Sequence, residues 1–255
     1  MTKKQTFSRI ISLVPSQTEL LVDLGLQSSM VGVTKFCVHP ENLRMEIPVV
    51  GGTKQVNFKK IKALNPDIIL CNKEENTLDM VQQLQDIAKV EIRDVNTFDD
   101  ALTLIKFYGD LFNVKYLSQA IIDKIEADRY TFRKRFINVS RVKVAYFIWQ
   151  QPYMVAANNT FINARIEEVG FSNVFKSKNR YPEIDLVDQD LHKTEIILLS
   201  SEPFPFKTEH VKQFKALFPD KQVIIADGEM FSWYGSRLQG AFKYFESLHE
   251  TLNSV

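Results

Sequence analysis

Cysteine is almost missing from this chain, with only Cys37 and Cys71 in 255 residues. Two thiols make no disulfide framework, and both are expected to be structural. Neither sign of charge is in excess: 32 Lys and Arg face 31 Asp and Glu, for a net charge of +1. That balance leaves no electrostatic footprint for nucleic acid or an anionic membrane surface. No apolar run approaches the ~18 residues of a membrane-spanning helix, so no membrane insertion is expected. The short motifs of catalysis and nucleotide binding are missing as well: there is no G-x-S-x-G elbow, no H-E-x-x-H, no C-x-x-C and no G-x-G-x-x-G. These absences point to a chain that is not an enzyme, requires no cofactor and has a small molecule or another protein as its partner.

Glycine and proline are missing from one long stretch, Asp110 to Gln151. Without those two breakers the segment Val114 to Asn138 reads as one uninterrupted helix. Leu117, Ile121, Ile125, Phe132 and Phe136 recur at helical spacing, and Arg129 interrupts the stripe. At ~1.5 Å per residue such a helix is roughly 37 Å long, enough to flank a domain. A chain of 255 residues holds one large domain or two of about 110 to 120 residues, and two are expected. The expected division is a lobe over residues 1–113, a linking helix over 114–138 and a second lobe over 139–255.

What is present on either side of that helix is strand and helix in alternation. Arg9–Val14 reads as a strand, and Ser16-Gln17-Thr18-Glu19 has the S-x-x-E pattern of a capping box before a helix. Strands are expected at Met30–Val33, Pro48–Val50, Ile68–Cys71 and Val90–Val95, with helices at Phe58–Leu64, Thr77–Ala88 and Phe98–Leu111. Beyond the long helix come strands at Val142–Trp149, Ile196–Ser200 and Val223–Ala226, and helices at Thr160–Val169, Thr208–Phe218 and Leu238–Leu252. This alternation predicts α/β architecture with largely parallel sheets, as two Rossmann-like lobes on one long backbone α-helix. The halves also rhyme loosely: TELLVDLG precedes PDIILC much as TFINARIEEVG precedes TEIILLS. Two such lobes on one helix are expected to leave a ligand cleft.

Ligands of open α/β sheets gather outside the carboxyl ends of the strands. The loops expected there carry Phe36, Trp149, Tyr153, Phe204, Phe206, Phe231, Trp233 and Tyr234, a set that includes both tryptophans. Aromatic faces beside polar groups suit a wide apolar ligand with a polar rim. The segment Phe231-Ser232-Trp233-Tyr234-Gly235-Ser236-Arg237 concentrates three aromatics, two hydroxyls and a cation in what reads as one loop. Gly51-Gly52-Thr53-Lys54 lacks the order of a phosphate loop and reads as a tight turn. Cys37-Val38-His39 offers a thiol and an imidazole, and no second cluster completes a metal site. His39 is therefore a candidate metal ligand only toward a metal already held by an organic ring. The pairs Glu74-Glu75 and Glu167-Glu168 read as solvated surface.

RIISLVPSQTELLVDLGL, MVGVTKF and VGGTKQVNFKKIKALNPDIILC together resemble the first lobe of the class III, helical-backbone periplasmic substrate-binding proteins of ABC importers. The branch that the chain is most similar to binds cobalamin. The resemblance is clearest over Arg9–Cys71 and extends to Pro152–Gly170 and Phe231–Leu238. It implies ligand-facing positions at Pro15, Phe36 and Glu229–Trp233 with Tyr234, and at Thr53, where the cobalamin binders carry Trp. With the aromatic and cationic loop residues, the expected ligand-binding set is Pro15, Phe36, Thr53, Trp149, Tyr153, Phe231, Ser232, Trp233, Tyr234 and Arg237. The resemblance also implies docking of one Glu per lobe onto a permease, the candidates being Glu74 or Glu75 and Glu202 or Glu209.

The expected function is that of a substrate-binding protein of an ABC-type importer, for a metal-bearing macrocycle or chelate, with cobalamin or another corrinoid first and a ferric siderophore or haem as alternatives. A cytosolic enzyme or carrier acting on such a ligand, with Cys37 or His39 near the metal, is the rival reading. The start MTKKQTFSRIISLVPSQ lacks the apolar segment of a signal peptide. A cytoplasmic location is therefore expected, with a periplasmic or extracytoplasmic one as the alternative if an export signal has been trimmed. A monomer is expected.

Overall fold

The computed structural model describes residues 7–136 and 140–253. The chain divides into two compact units, the first made of Met1–Val95, Asp100–Asp123 and Tyr234–Arg237, the second of Asn96–Asp99, Lys124–Trp233 and Leu238–Val255. Both are α/β, the class expected.

The first unit opens with β1 (Ile10–Ser12), α1 (Pro15–Asp23), β2 (Met30–Val33), α2 (Leu43–Glu46), α3 (Phe58–Ala63), β3 (Ile68–Asn72), α4 (Leu78–Gln85) and β4 (Lys89–Arg93). Its four strands lie in the order β2-β1-β3-β4, all parallel, with Ile10, Ile11 and Ser12 opposite Ile68, Ile69 and Leu70. Every residue of β1 and β3 is buried, as the two central strands of a covered parallel sheet must be. Ile11, Leu13, Ile69, Cys71 and Leu84 share one core cluster with Val50 and Ile61. Each such aliphatic side chain contributes about 1.5–3 kcal/mol by its burial.

Two expectations for this unit need correcting. α1 has no capping box: Pro15 is the first helical residue, Val14 is the N-cap and no side chain caps it. Proline belongs at that position because its fixed φ suits the first turn and its missing N–H would have been unpaired there anyway. Pro48–Val50 forms no strand and contributes only bridges, Val33 to Val49 and, beyond it, Gly51 to Val56. Pro48 has no N–H to give a ladder. Gly51 then turns the chain at φ +140°, where an added Cβ would lie 2.5 Å from the Gln55 carbonyl oxygen.

Next come α5 (Phe98–Leu111) and α6 (Lys115–Phe136). α6 is the helix expected over 114–138, and Ile137 and Asn138 at its expected end lie outside the described residues. Ile121, Ile122, Ile125 and Phe132 are its buried apolar residues, with Ser118 buried among them, while Tyr116 and Tyr130 are exposed.

The second unit holds β5 (Val142–Trp149), β6 (Met154–Val155), α7 (Phe161–Glu168), β7 (Phe171–Asn173), α8 (Gln189–His192), β8 (Ile196–Ser200), α9 (Thr208–Leu217), β9 (Gln222–Ala226), α10 (Gly228–Ser232) and α11 (Leu238–Asn253). The sheet runs β6-β5-β8-β9, with β7 also on β5, and only β6 is antiparallel. β5 beside β8 repeats β1 beside β3, both parallel, which is the structural counterpart of the rhyme between the halves. Thr160 starts α7 by accepting the Asn163 amide at 3.1 Å, a side-chain cap of the ordinary kind. The segment expected as one loop from Phe231 is instead the last turn of α10 and the connection after it. Gly228 lets that turn approach β8: a Cβ there would fall 2.4 Å from Glu202 Cγ and 2.7 Å from Ser200 Oγ.

Candidate functional site

In the first unit, the carboxyl ends of β1, β2 and β3 deliver Pro15, the Thr34–Cys37 turn and the Asn72–Asn76 loop. The turn is tightly held. Lys35 N donates to Gly51 O at 2.8 Å, and Arg44 Nη1 donates to Lys35 O at 2.8 Å. Phe36 N donates to Thr34 Oγ1 at 3.2 Å. The Phe36 ring emerges 48 % exposed, with Lys35 Nζ 5.0 Å from its centroid, a cation–π distance. Below it Cys37 is fully buried, its Sγ 3.1 Å from Thr18 Oγ1 and 3.2 Å from Thr34 Oγ1. Burial pushes the Cys37 thiol up despite those hydroxyls, and pushes Cys71 up to about 12. Thiols in that state are protonated and inert.

Behind the turn runs a buried polar chain. Tyr108 Oη donates to Gln17 Oε1 at 2.7 Å, and Gln17 Nε2 donates to Tyr234 Oη at 3.2 Å. Asn72 Nδ2 also donates to Tyr234 Oη, at 2.7 Å. Asn76 Oδ1 accepts from Asn72 N at 2.8 Å, and Asn76 Nδ2 donates to Thr53 O at 2.8 Å. Thr53 is thereby fixed through its carbonyl. Burial raises the Tyr108 and Tyr234 phenols, so both stay neutral hydrogen-bonding groups. Gln17 and Asn72 were not anticipated as organising residues. Gln17 stands in the polar run Ser16–Glu19 and gives no local signal; for Asn72 the signal was an Asn at the end of a β-rich run.

The second unit brings Trp149, Tyr153 and Phe204 to the carboxyl ends of β5 and β8. Trp149 is 39 % exposed and meets Phe204 edge-on at 5.7 Å. Tyr153 is half-buried, and its hydroxyl accepts from Gln213 Nε2 at 3.3 Å. Glu202 Oε1 accepts both Ser232 Oγ at 2.6 Å and Trp233 Nε1 at 2.9 Å. Burial pushes the Glu202 carboxyl up, and the negative charges of Glu229 and Asp227 add to that against the two donors.

Several residues expected to face a ligand are placed in the interior. Pro15 is buried in the first turn of α1. Phe231 is fully buried, 4.8 Å from Tyr146 and 4.9 Å from Phe245. Trp233 and Tyr234 keep 7 % and 6 % exposure. Arg237 lies on Glu19, Nε and Nη2 donating at 2.9 and 2.6 Å. His39 is half-buried, and among the described residues no group of three or more His, Cys, Asp or Glu could hold a metal ion. Of the acidic candidates, Glu74 and Glu209 are exposed, whereas Glu75 accepts from Asn72 Nδ2 at 3.2 Å and Glu202 is engaged as described.

Of the pair Glu167-Glu168, Glu167 is exposed as expected and Glu168 is not. The Glu168 carboxylate is 6 % exposed and receives Nε and Nη2 of both Arg129 and Arg133, every bond 2.8 Å. Burial would raise its pKa, but the two arginines together outweigh that and hold it below the usual range. Arg129, an interruption of the apolar stripe of α6, marks an ion cluster around a buried Glu168 carboxylate.

A family model described as "Periplasmic binding protein" matches residues 10–202. Among curated proteins, the ABC transporter substrate-binding lipoprotein YvrC of Bacillus subtilis (strain 168) is 25 % identical over 187 residues, 70 % of this chain and 57 % of its own length. The chain thus spans little more than half of that relative. Among solved structures, the periplasmic vitamin B12 binding protein BtuF of Vibrio cholerae has a TM-score of 0.82 at 18 % identity, covering 98 % of this chain and 99 % of that one. A periplasmic heme binding protein from Pseudomonas aeruginosa has a TM-score of 0.80 at 20 % identity, covering 95 % and 92 %. At those identities the likeness is one of fold. The expectation of a cytoplasmic location is corrected by these names, which are periplasmic or lipoprotein throughout and point to an extracytoplasmic place. The expectation had rested on a missing signal peptide, and such a segment is removed from a mature protein. Among the described residues no helix is long and apolar enough to cross a membrane.

Proposed function

Because the chain belongs to the periplasmic binding protein family, matched over residues 10–202, we propose that it is the substrate-binding component of an ABC-type importer, a carrier and not a catalyst. Its proposed ligand is a metal-bearing macrocycle or chelate, a corrinoid first. The observation that carries this reading is Phe36, a large aromatic ring left 48 % exposed on a turn that three hydrogen bonds and a glycine turn hold in place. A fixed, exposed ring at a strand end is what a flat ligand stacks on with little ordering cost. Thr53, next to Gly52 in the chain, supplies polarity in the first unit; within the second unit, taken by itself, Trp149 and Tyr153 are the aromatics at the strand ends. Ser232 and Trp233 are both held by Glu202 Oε1.

Haem and ferric siderophores are the second reading, favoured by the relative that is named a heme binding protein. Permease docking falls to Glu74 and Glu209, which are exposed, in preference to Glu75 and Glu202. Titration with cyanocobalamin, haemin and a ferric siderophore, followed by ligand absorbance and tryptophan fluorescence, tests the reading. Binding of one of them with Kd below about 100 μM is expected, and Phe36→Ala should weaken it. If none binds in that range, the proposal fails.

A further inference from the structure

Resting on the substrate-binding reading, we propose that Lys35 and the Gly51–Gly52 turn form a subsite for an acidic substituent, a carboxylate or phosphate, on a ligand whose flat apolar body lies on Phe36. A shallow, open depression of about 500 Å³ lies beside the turn, lined by Lys35, Gly51, Gly52, Gln55 and Asn57 together with two valines. No acidic residue lines it. Its one cation is Lys35, and that cation is preorganised: the backbone is pinned on both sides, by Gly51 O and by Arg44 Nη1, each at 2.8 Å. The Lys35 ammonium is held over the Phe36 ring, 5.0 Å from its centroid. An added Cβ on Gly52 would lie 3.3 Å from Phe36 Cε2 and 3.6 Å from Lys35 Cε. The bare backbone therefore leaves room where a side chain would press on both groups.

The remaining polar lining favours the same charge. Asn57 Oδ1 is committed to Lys60 N at 2.9 Å, so the group that Asn57 has to give is its amide N–H. Gln55 adds a second amide. Arg237, the cation of the expected ligand-binding set, has both arms on Glu19 and cannot serve an anion without breaking that pair. Lys35 is the cation that lines this depression and sets its charge preference. Because it is solvent-exposed, its attraction to an anion is screened by salt and worth roughly 1 kcal/mol, a several-fold effect on Kd.

The test uses matched ligands. Haemin is compared with its dimethyl ester, which has lost both carboxylates, and cyanocobalamin with dicyanocobinamide, which lacks the phosphodiester together with its ribose and dimethylbenzimidazole, so that for this pair the part of the preference lost in Lys35→Gln is what is read. Each is titrated into the wild type, Lys35→Gln and Lys35→Arg at low and high salt. The expected result is that the anion-bearing member of at least one pair binds about three- to ten-fold tighter in the wild type. That preference should fall with salt, vanish in Lys35→Gln for the haemin pair or shrink there for the corrinoid pair, and persist in Lys35→Arg; the pair that shows it identifies carboxylate or phosphate. Binding without any such preference, or a preference that Lys35→Gln retains in full, overturns the subsite and leaves the substrate-binding reading intact. Failure of every probe to bind below about 100 μM overturns both.

Discussion

Arg237 lays both arms of its guanidinium on Glu19, Nε to Oε2 at 2.9 Å and Nη2 to Oε1 at 2.6 Å, with side chains only 15 % and 17 % exposed. The pair fixes the start of α1 to the segment before α11, within the first unit. Burial raises the Glu19 carboxyl, and Arg237 opposes that, so removing the arginine strands an acid with little water around it. Arg237→Ala is expected to cost about 3 kcal/mol of stability, read as a fall in urea midpoint with unchanged m-value. Adding Glu19→Gln to it should recover part of the loss. An Arg237→Ala protein as stable as the wild type would mean that the pair contributes nothing.

The aromatics of the candidate site separate into those that can meet a ligand and those that hold the fold. Phe36→Ala removes a ring already half in solvent and should change stability by less than about 1 kcal/mol while weakening ligand binding ten-fold or more. Phe231→Ala empties a fully buried position between Tyr146 and Phe245 and should cost about 3–5 kcal/mol. Thermal unfolding and ligand titration of the two variants check the contrast. Equal destabilisation by both would place Phe36 in the core as well.

Periodicity made the elements readable because α/β units write themselves in long, regular apolar runs: Phe98–Leu111 and Val142–Trp149 have the bounds expected of them. The elements missed, β6, β7, α2, α8 and α10, are two to five residues long, too short to carry a period. Phe36 was legible as an exposed aromatic after a strand. Phe231 was not legible as core, because one ring in a polar segment looks alike whether its neighbours come from a nearby loop or from β5 and α11. Arg237 and Glu19 are 218 residues apart, and nothing local to either announces the other. Long-range pairing of this kind, which commits Arg237 to Glu19, leaves no mark in the local sequence of either residue.

Glu202 gives a pH dependence with a definite sign. Its carboxyl is raised from 4.5, first by burial, so between that value and its raised pKa the native state binds more protons than the unfolded one. Stability then falls as pH rises through this window and stays lowered above it. Glu202→Gln keeps an acceptor for Ser232 and Trp233 and removes the ionisation. The variant is expected to be at least as stable as the wild type at pH 7, with the difference between them shrinking as pH falls toward 4.5. Urea unfolding from pH 4 to pH 8 measures it; a difference that grows on acidification would reverse the assignment.

Arg165 poses the opposite electrostatic problem from Arg237. Its guanidinium is fully buried, with Nε, Nη1 and Nη2 all lacking a hydrogen-bond partner in the structure. Its neighbours are the rings of Phe245, Phe242 and Phe98, at 4.9, 5.0 and 5.6 Å. Cation–π contacts of about 1–2 kcal/mol do not repay several kcal/mol of lost hydration, and burial pulls its pKa down to about 9. A base whose folded pKa is depressed destabilises the native state in full below that value, and the penalty shrinks as pH rises past it. Methionine fills similar space among the rings without a charge to desolvate. Arg165→Met is therefore expected to raise stability by about 1–4 kcal/mol at pH 7, with the gain narrowing above pH 9 in urea-unfolding midpoints. A variant less stable than the wild type by a similar margin would show that the charge finds a partner in solution, with Glu168, its favourable electrostatic neighbour, the first place to look.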